Sequence, residues 1–128
     1  MNYLDFSDEL FLSVEHKERF YNLVETSKCY ITDSERLAVF FILAGNDDLY
    51  MKRDSIYDFN NSWHIGGCIN PQCFETTDFS SGVYKLVNLA FNLYNNYNEN
   101  DKTLLDLFSG LDGKNFKLAL NSIIVRFS

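Results

Sequence analysis

Residues 32–45 read TDSERLAVFFILAG, and this stretch decides the fold. Thr32 and Asp33 are residue types that cap helix N-termini, and Gly45 is a residue type that ends helices. Residues 37–44 are all apolar, so a helix built from them has no side suited to water. The stretch therefore predicts a central helix that is surrounded by the rest of the protein.

Three further stretches repeat apolar residues every three or four positions, which is typical of helices with one buried side. Each follows a residue that can cap it: Ser13 for the first, Ser80 or Ser81 for the second, and Asp112 for the third. The predicted buried sides carry Val14, Phe20, Leu23 and Val24, then Val83, Leu86, Val87, Ala90, Leu93 and Tyr94, and finally Phe116, Ala119, Leu120, Ile123 and Phe127.

Shorter elements complete the predicted fold. Asn46 and Asp101 are expected to cap two short helices, and residues 54–79 lose all periodicity, which indicates one long irregular loop. No alternating segments flank a hairpin turn, so paired strands are not expected. The sequence predicts an all-α protein, a compact single-domain helical bundle over residues 1–128 with about four main helices, short helices and the long loop.

The charge of the chain is acidic and unevenly distributed. The 128 residues carry a formal net charge of −7, and the first 58 residues hold nearly all of the acidic excess. An acidic surface repels phosphate backbones, so direct binding to nucleic acid is disfavoured. Such a surface can instead meet a basic protein, or it can simply keep the protein soluble.

Several absences in the sequence favour a cytoplasmic protein. No run approaches the ~20 apolar residues that cross a bilayer, and the first residues lack the pattern of a signal peptide, so no membrane partner is expected. The three cysteines, Cys29, Cys68 and Cys73, form an odd and sparse set. Such a set suits reduced thiols better than a disulfide framework.

His64, Cys68 and Cys73 are the residues most suggestive of a metal, because all three are zinc-ligand types. Their spacing is poor, since no close pair such as C-x₂-C occurs and a fourth ligand would have to come from Cys29 or His16. No phosphate-binding loop, dinucleotide fingerprint or zinc-protease motif occurs either. We therefore expect no enzyme activity and no cofactor.

The short turn around Asn46 and the 54–79 loop form the predicted working surface, because loops held on a rigid scaffold often carry function. Acidic side chains there could meet a basic partner, and tyrosine and tryptophan are favoured at the centres of protein interfaces. The candidate partner-binding residues are Asp47, Asp48, Tyr50, Asp54, Tyr57, Asp58 and Trp63.

Four segments, residues 11–20, 44–50, 56–59 and 89–95, resemble an uncharacterised small-protein family. That family occurs in low-GC Gram-positive bacteria, their phages and their mobile elements. The resemblance implies a mobile-element setting and brings no catalytic residues with it.

These observations lead to three hypotheses of function. The first is a small acidic, non-catalytic protein-binding module, such as a phage or mobile-element inhibitor of a host defence system of the anti-CRISPR type. Its partner would be a basic nucleic-acid-binding enzyme. The second is a metal-binding or small-ligand-binding protein, or an enzyme, that uses the 54–79 loop. The third is a self-associating structural protein in which exposed aromatic residues form a homodimer.

Overall fold

Helices dominate the computed structural model, which describes residues 6–61 and 63–128. Four of the helices are long, and the predicted all-α fold is confirmed. In chain order the elements are a 3-10 helix (Asp8–Leu10), α1 (Val14–Ser27), α2 (Ser34–Ala44), α3 (Asp47–Met51), α4 (Arg53–Ile56), β1 (Tyr57–Asp58), β2 (Cys68–Ile69), α5 (Cys73–Thr76), α6 (Ser81–Asn95), α7 (Leu104–Phe108) and α8 (Gly113–Phe127).

Helix α2 is the centre of the core, as the sequence predicts. It packs against α1, α6 and α8, and all eight residues from 37 to 44 are buried. Each large side chain that is fully buried in this way stabilises the fold by about 1.5–3 kcal/mol. Among the described residues, no helix has both the length and the apolar character needed to cross a bilayer.

Most of the predicted capping residues act as caps. The side chains of Ser13, Asp33, Ser80 and Asp112 each accept a hydrogen bond from a backbone amide in the first turn of the following helix. The prediction for Asp101 is wrong. Helix α7 is capped by Thr103, whose hydroxyl and the Asp106 carboxylate each accept a backbone amide of the other residue.

Helix α8 buries a different side from the one predicted. Of the predicted residues only Ala119 is buried, whereas Phe116, Leu120 and Phe127 are exposed. The side that packs inward carries Leu118, Ala119, Asn121, Ser122 and Val125. Because the exposed side of α8 is more apolar than the buried side, its apolar periodicity does not show which side meets α2.

Residues 54–79 contain more regular structure than expected. Strands β1 and β2 pair antiparallel, with Tyr57 opposite Ile69 and Asp58 opposite Cys68, so the prediction of no paired strands is wrong. The turn before β2 depends on Gly67, whose φ is +84°. A Cβ at this position would lie 2.4 Å from the carbonyl oxygen of Asp58, so a larger residue does not fit.

His16 links α1 to the C-terminal end of α2 inside the core. Its Nδ1 accepts the amide of Leu12 at 2.9 Å, and its Nε2 lies 2.9 Å from the carbonyl oxygen of Phe41. A carbonyl only accepts, so the proton of the neutral ring is on Nε2. Burial lowers the pKa of His16 from 6.5 to about 4, which keeps the ring neutral at physiological pH.

Candidate functional site

Tyr57 is the one candidate partner-binding residue that the structure removes from the surface. The side chain is completely buried, and its hydroxyl donates to the carbonyl oxygen of Gly66 at 2.5 Å. Burial raises the pKa of Tyr57, because the phenolate would lose its hydration. Its assignment to a partner-binding surface is therefore corrected: Tyr57 packs the 54–79 segment against the core.

Asp47 and Asp48 lie in the first turn of α3, where carboxylates favour helix formation, and both are engaged within the molecule. Asp47 pairs with Arg19 at 2.7 Å, and Asp48 pairs with Lys52 at 3.1 Å. The hydrogen bond from Arg19 lowers the pKa of Asp47. Neighbouring cations therefore compensate much of the negative charge of Asp47 and Asp48.

Tyr50 is held at the same end of the molecule by two arginines. The guanidinium groups of Arg19 and Arg53 lie over its ring at 4.6 and 4.3 Å from the centroid. The Nδ2 of Asn22 donates to its hydroxyl at 3.0 Å. The ring is half-buried and fixed, so Tyr50 forms a rigid and partly accessible edge of the candidate surface.

Asp54 and Asp58 line one open cleft of about 580 Å³. Within residues 6–61 and 63–128, neither carboxylate has a cation within 4.0 Å. Asp58 accepts the amide of Asn60 at 3.0 Å, which leaves acceptor positions free. The other lining residues are mostly polar: Tyr57, Phe59, Asn60, Asn61, Cys68, Ile69, Asn70, Pro71 and Gln72.

Trp63 is the most exposed large apolar residue of the described chain, with 89% of its surface in water. It follows the β1 strand by five residues, and its backbone amide donates to the side chain of Asn61 at 2.8 Å. A tryptophan that is left this exposed in a folded protein is available to a partner. Trp63 is not among the residues that line the cleft, but it belongs to the same 54–79 segment as Asp54 and Asp58, and we call these three residues the acidic-aromatic surface.

Arg36 is a residue that the sequence analysis missed. Its Nε and Nη2 donate to the carbonyl oxygen of Gly67 at 3.0 and 2.7 Å, and its Nε also donates to the hydroxyl of Tyr57 at 3.1 Å. Asp33 pairs with its Nη1 at 2.8 Å. Arg36 thus fastens the 54–79 segment to α2. In the sequence, the only indication of this role was an arginine placed three residues after the capping aspartate of an otherwise apolar helix.

Within the described part of the chain, the histidines and cysteines do not form a metal-binding group. His16 is in the core while His64 is exposed, and among the described residues no three of His, Cys, Asp and Glu are placed to share a metal ion. Burial raises the pKa of the Cys73 thiol to about 12 and also raises the pKa of Cys29 and Cys68. All three thiols therefore stay protonated at neutral pH, which makes them weak nucleophiles.

A second surface, which the sequence analysis did not identify, lies between α7 and α8. It is an open groove of about 420 Å³ that is lined by apolar side chains. The lining residues are Leu104, Leu105, Phe108, Phe116, Leu120 and Ile123. Three of these residues were predicted for the buried side of α8. The apolar pattern of this helix therefore forms an exposed groove and not only a core contact.

Residues 7–128 match the model of a family of unknown function, DUF6075. The chain belongs to this family. The DUF6075 match spans every helix and strand from the 3-10 helix to α8, so it includes both the acidic-aromatic surface and the groove between α7 and α8. The family description names no activity, in agreement with the resemblance to an uncharacterised family. No curated protein and no solved structure matches the chain.

Proposed function

We propose that this DUF6075 protein is a non-catalytic protein-binding module whose partner presents a basic surface. The observation that carries the proposal is the acidic-aromatic surface. Its tryptophan is almost wholly exposed, and two carboxylates on the same segment lack an ion pair within the described residues. Such a combination offers both a hydrophobic anchor and charges that are free to pair across an interface.

The charge of the molecule supports a basic partner. Five acidic residues of the described chain form ion pairs, and the formal net charge of −7 already counts the basic residues in those pairs, so acidic residues remain in excess. A protein with this charge attracts positively charged surfaces during diffusional encounter, and Asp54 and Asp58 supply local complementarity at contact.

A nucleic-acid-binding enzyme is the partner class that this chemistry favours, because its binding groove is positively charged. The resemblance to proteins of phages and mobile elements suggests a setting for such an interaction. We propose that the protein blocks an enzyme of a host defence system, as an inhibitor of the anti-CRISPR type would.

The interaction is tested by recovering partners from a lysate of a low-GC Gram-positive host with tagged protein. The variant Asp54→Asn/Asp58→Asn/Trp63→Ala should recover at least about tenfold less of the partner than the parent protein, since it loses the anchor and both charges. A matched control, Glu9→Gln/Glu25→Gln/Val14→Ala, also loses two exposed carboxylates and one exposed apolar side chain. It should bind normally.

Equal recovery by the two triple variants, or no partner for the parent protein, would contradict the proposal. The inhibitor hypothesis has its own readout in a host with an active CRISPR system. Expression of the parent protein should raise the transformation efficiency of a targeted plasmid, and the acidic-aromatic variant should not. An unchanged efficiency with the parent protein would rule out this form of inhibition.

A further inference from the structure

The outer side of α8 continues onto α7 as one apolar area, which we call the α7–α8 patch. Its residues are all exposed and lie apart from the acidic-aromatic surface in sequence. They are Leu104, Leu105, Phe116, Leu120, Ile124 and Phe127. On α8 these positions follow one another by three, four or eight residues, so they share one side of the helix.

The size of this patch is unusual for a protein that stays monomeric. Taking about 200 Å² for a fully exposed residue of this kind, the six residues leave roughly 700 Å² of largely apolar surface in water. The largest apolar patch of a typical monomer is about 300–600 Å². A standard interface buries about 800 Å² on each partner. The patch therefore has nearly the area that a stable dimer requires.

The groove between α7 and α8 gives the patch a concave shape that a second molecule can fill. The rings of Phe108 and Phe116 meet edge to face at 5.9 Å, and both line the groove. Leu105, 76% exposed, stands on the α7 side, and Leu120 stands on the α8 side. A ridge of side chains from a second molecule can fill such a groove, as side chains do where helices pack.

The charges beside the patch differ on its two sides. Helix α8 carries Lys114, Lys117 and Arg126 and no acidic residue. Arg126 is turned inward, where it donates to the carbonyl oxygen of Leu93, while Lys117 is exposed next to Leu120. The α7 side has two exposed acids, Asp101 and Asp106, and also two lysines, Lys85 and Lys102, which line a cleft together with Leu105 and Asp106.

We propose that the α7–α8 patch is the interface of a two-fold homodimer in which α8 of one copy lies over α7 of the other. In a two-fold interface the same surface meets itself. With the axis along the groove, Lys117 of one copy faces the side of the other copy that carries Asp101 and Asp106, and the leucines and phenylalanines of both copies leave water. An arrangement of α8 over α8 would instead bring lysines together.

The dimer is tested by sedimentation equilibrium of the full chain from about 1 µM to about 1 mM. The mass should rise from 14.9 kDa to twice that value with concentration. Leu105→Asp should raise the dissociation constant by at least about tenfold, because each interface loses two buried leucines and gains two buried charges. Aspartate is favourable in the first turn of α7, so the variant should remain folded by circular dichroism.

Val14→Asp is the matched control, because Val14 is 74% exposed in the first turn of α1. It should leave the dissociation constant unchanged. A monomer at every concentration would overturn the proposal and leave the patch for a different protein. A dimer that is insensitive to Leu105→Asp would overturn it as well.

The orientation is tested separately with charge variants. Lys117→Glu should weaken the dimer by about fivefold, since it places a carboxylate opposite Asp101 and Asp106 of the second copy, whereas Lys28→Glu, just after the end of α1, should not. An unchanged affinity for Lys117→Glu would refute the α8-over-α7 arrangement. Trp63→Ala should leave dimerisation intact, so this proposal and the proposed function can fail independently.

Discussion

His16 is a single residue that joins three parts of the chain, and its chemistry is set by burial. The ring accepts from the amide of Leu12 and donates to the carbonyl oxygen of Phe41, so both nitrogens are used. Gly45 allows this packing. A Cβ at Gly45 would lie 2.2 Å from the side chain of Leu118 and 3.0 Å from the His16 ring. The glycine that ends α2 is therefore needed for close packing, since its φ of −91° is open to any residue.

We expect the protein to lose stability as the pH falls from about 6.5 to 4. An unfolded chain protonates His16 near its ordinary pKa of 6.5, whereas the folded protein does so only near 4. Between these two pH values, proton binding to His16 favours the unfolded state. Above pH 6.5, His16 is neutral in both states and does not make stability depend on pH. The full effect is up to about 3 kcal/mol.

Urea unfolding at pH 7 and pH 5 checks this expectation. Because carboxylates also titrate in acid, the comparison is between variants. His16→Gln should show a smaller loss between the two pH values than the parent protein, and His64→Gln, at an exposed position, should behave like the parent. An equal pH dependence in all three proteins would show that His16 is not the titrating group.

At the scale of secondary-structure elements, α8 is the most informative helix. Both of its sides repeat residues at helical spacing, and the side that stays at the surface is the more apolar, so periodicity and hydrophobicity do not identify the buried side. The side with Ala119 and Ser122 packs against α2 because small residues allow two helices to approach closely. The side with Phe116 and Leu120 carries bulkier residues and remains at the surface.

This difference predicts unequal losses of stability when two neighbouring leucines are replaced by alanine. Leu118→Ala should lower the free energy of unfolding by about 2–5 kcal/mol, because Leu118 is completely buried and the substitution leaves a cavity. Leu120→Ala should cost less than about 1 kcal/mol in dilute solution, where the monomer predominates. Chemical denaturation followed by circular dichroism measures both values, and a larger cost for Leu120→Ala would reverse our assignment of the two sides.

Elements with strong local signals were predictable, and elements that depend on distant contacts were not. Asp33, Ser80 and Asp112 cap helices by local hydrogen bonds, so the sequence sufficed. The β1–β2 pair is only two residues long in each strand and is supported by Arg36 from α2. No local pattern reports a tertiary contact of that kind.

At the scale of the whole molecule, counting charges overestimates the acids that are available to a partner. Among residues 6–61, five ion pairs join acidic and basic side chains, including Asp47 with Arg19 and Asp48 with Lys52. Asp54 and Asp58 were correctly expected at the surface. Tyr57 was wrongly assigned to the surface because the sequence does not show whether an aromatic ring next to exposed acids points outward or into the core.

The exposure of Trp63 also determines what ultraviolet fluorescence can report. It is the only tryptophan in the chain, and 89% of its surface is in water. Unfolding moves this indole from one aqueous environment to another, so its emission maximum should hardly shift when the fold is lost. Covering by another molecule would shift the emission to shorter wavelength. The fluorescence of Trp63 should therefore report the binding of another molecule at this position, while it changes little when the protein unfolds.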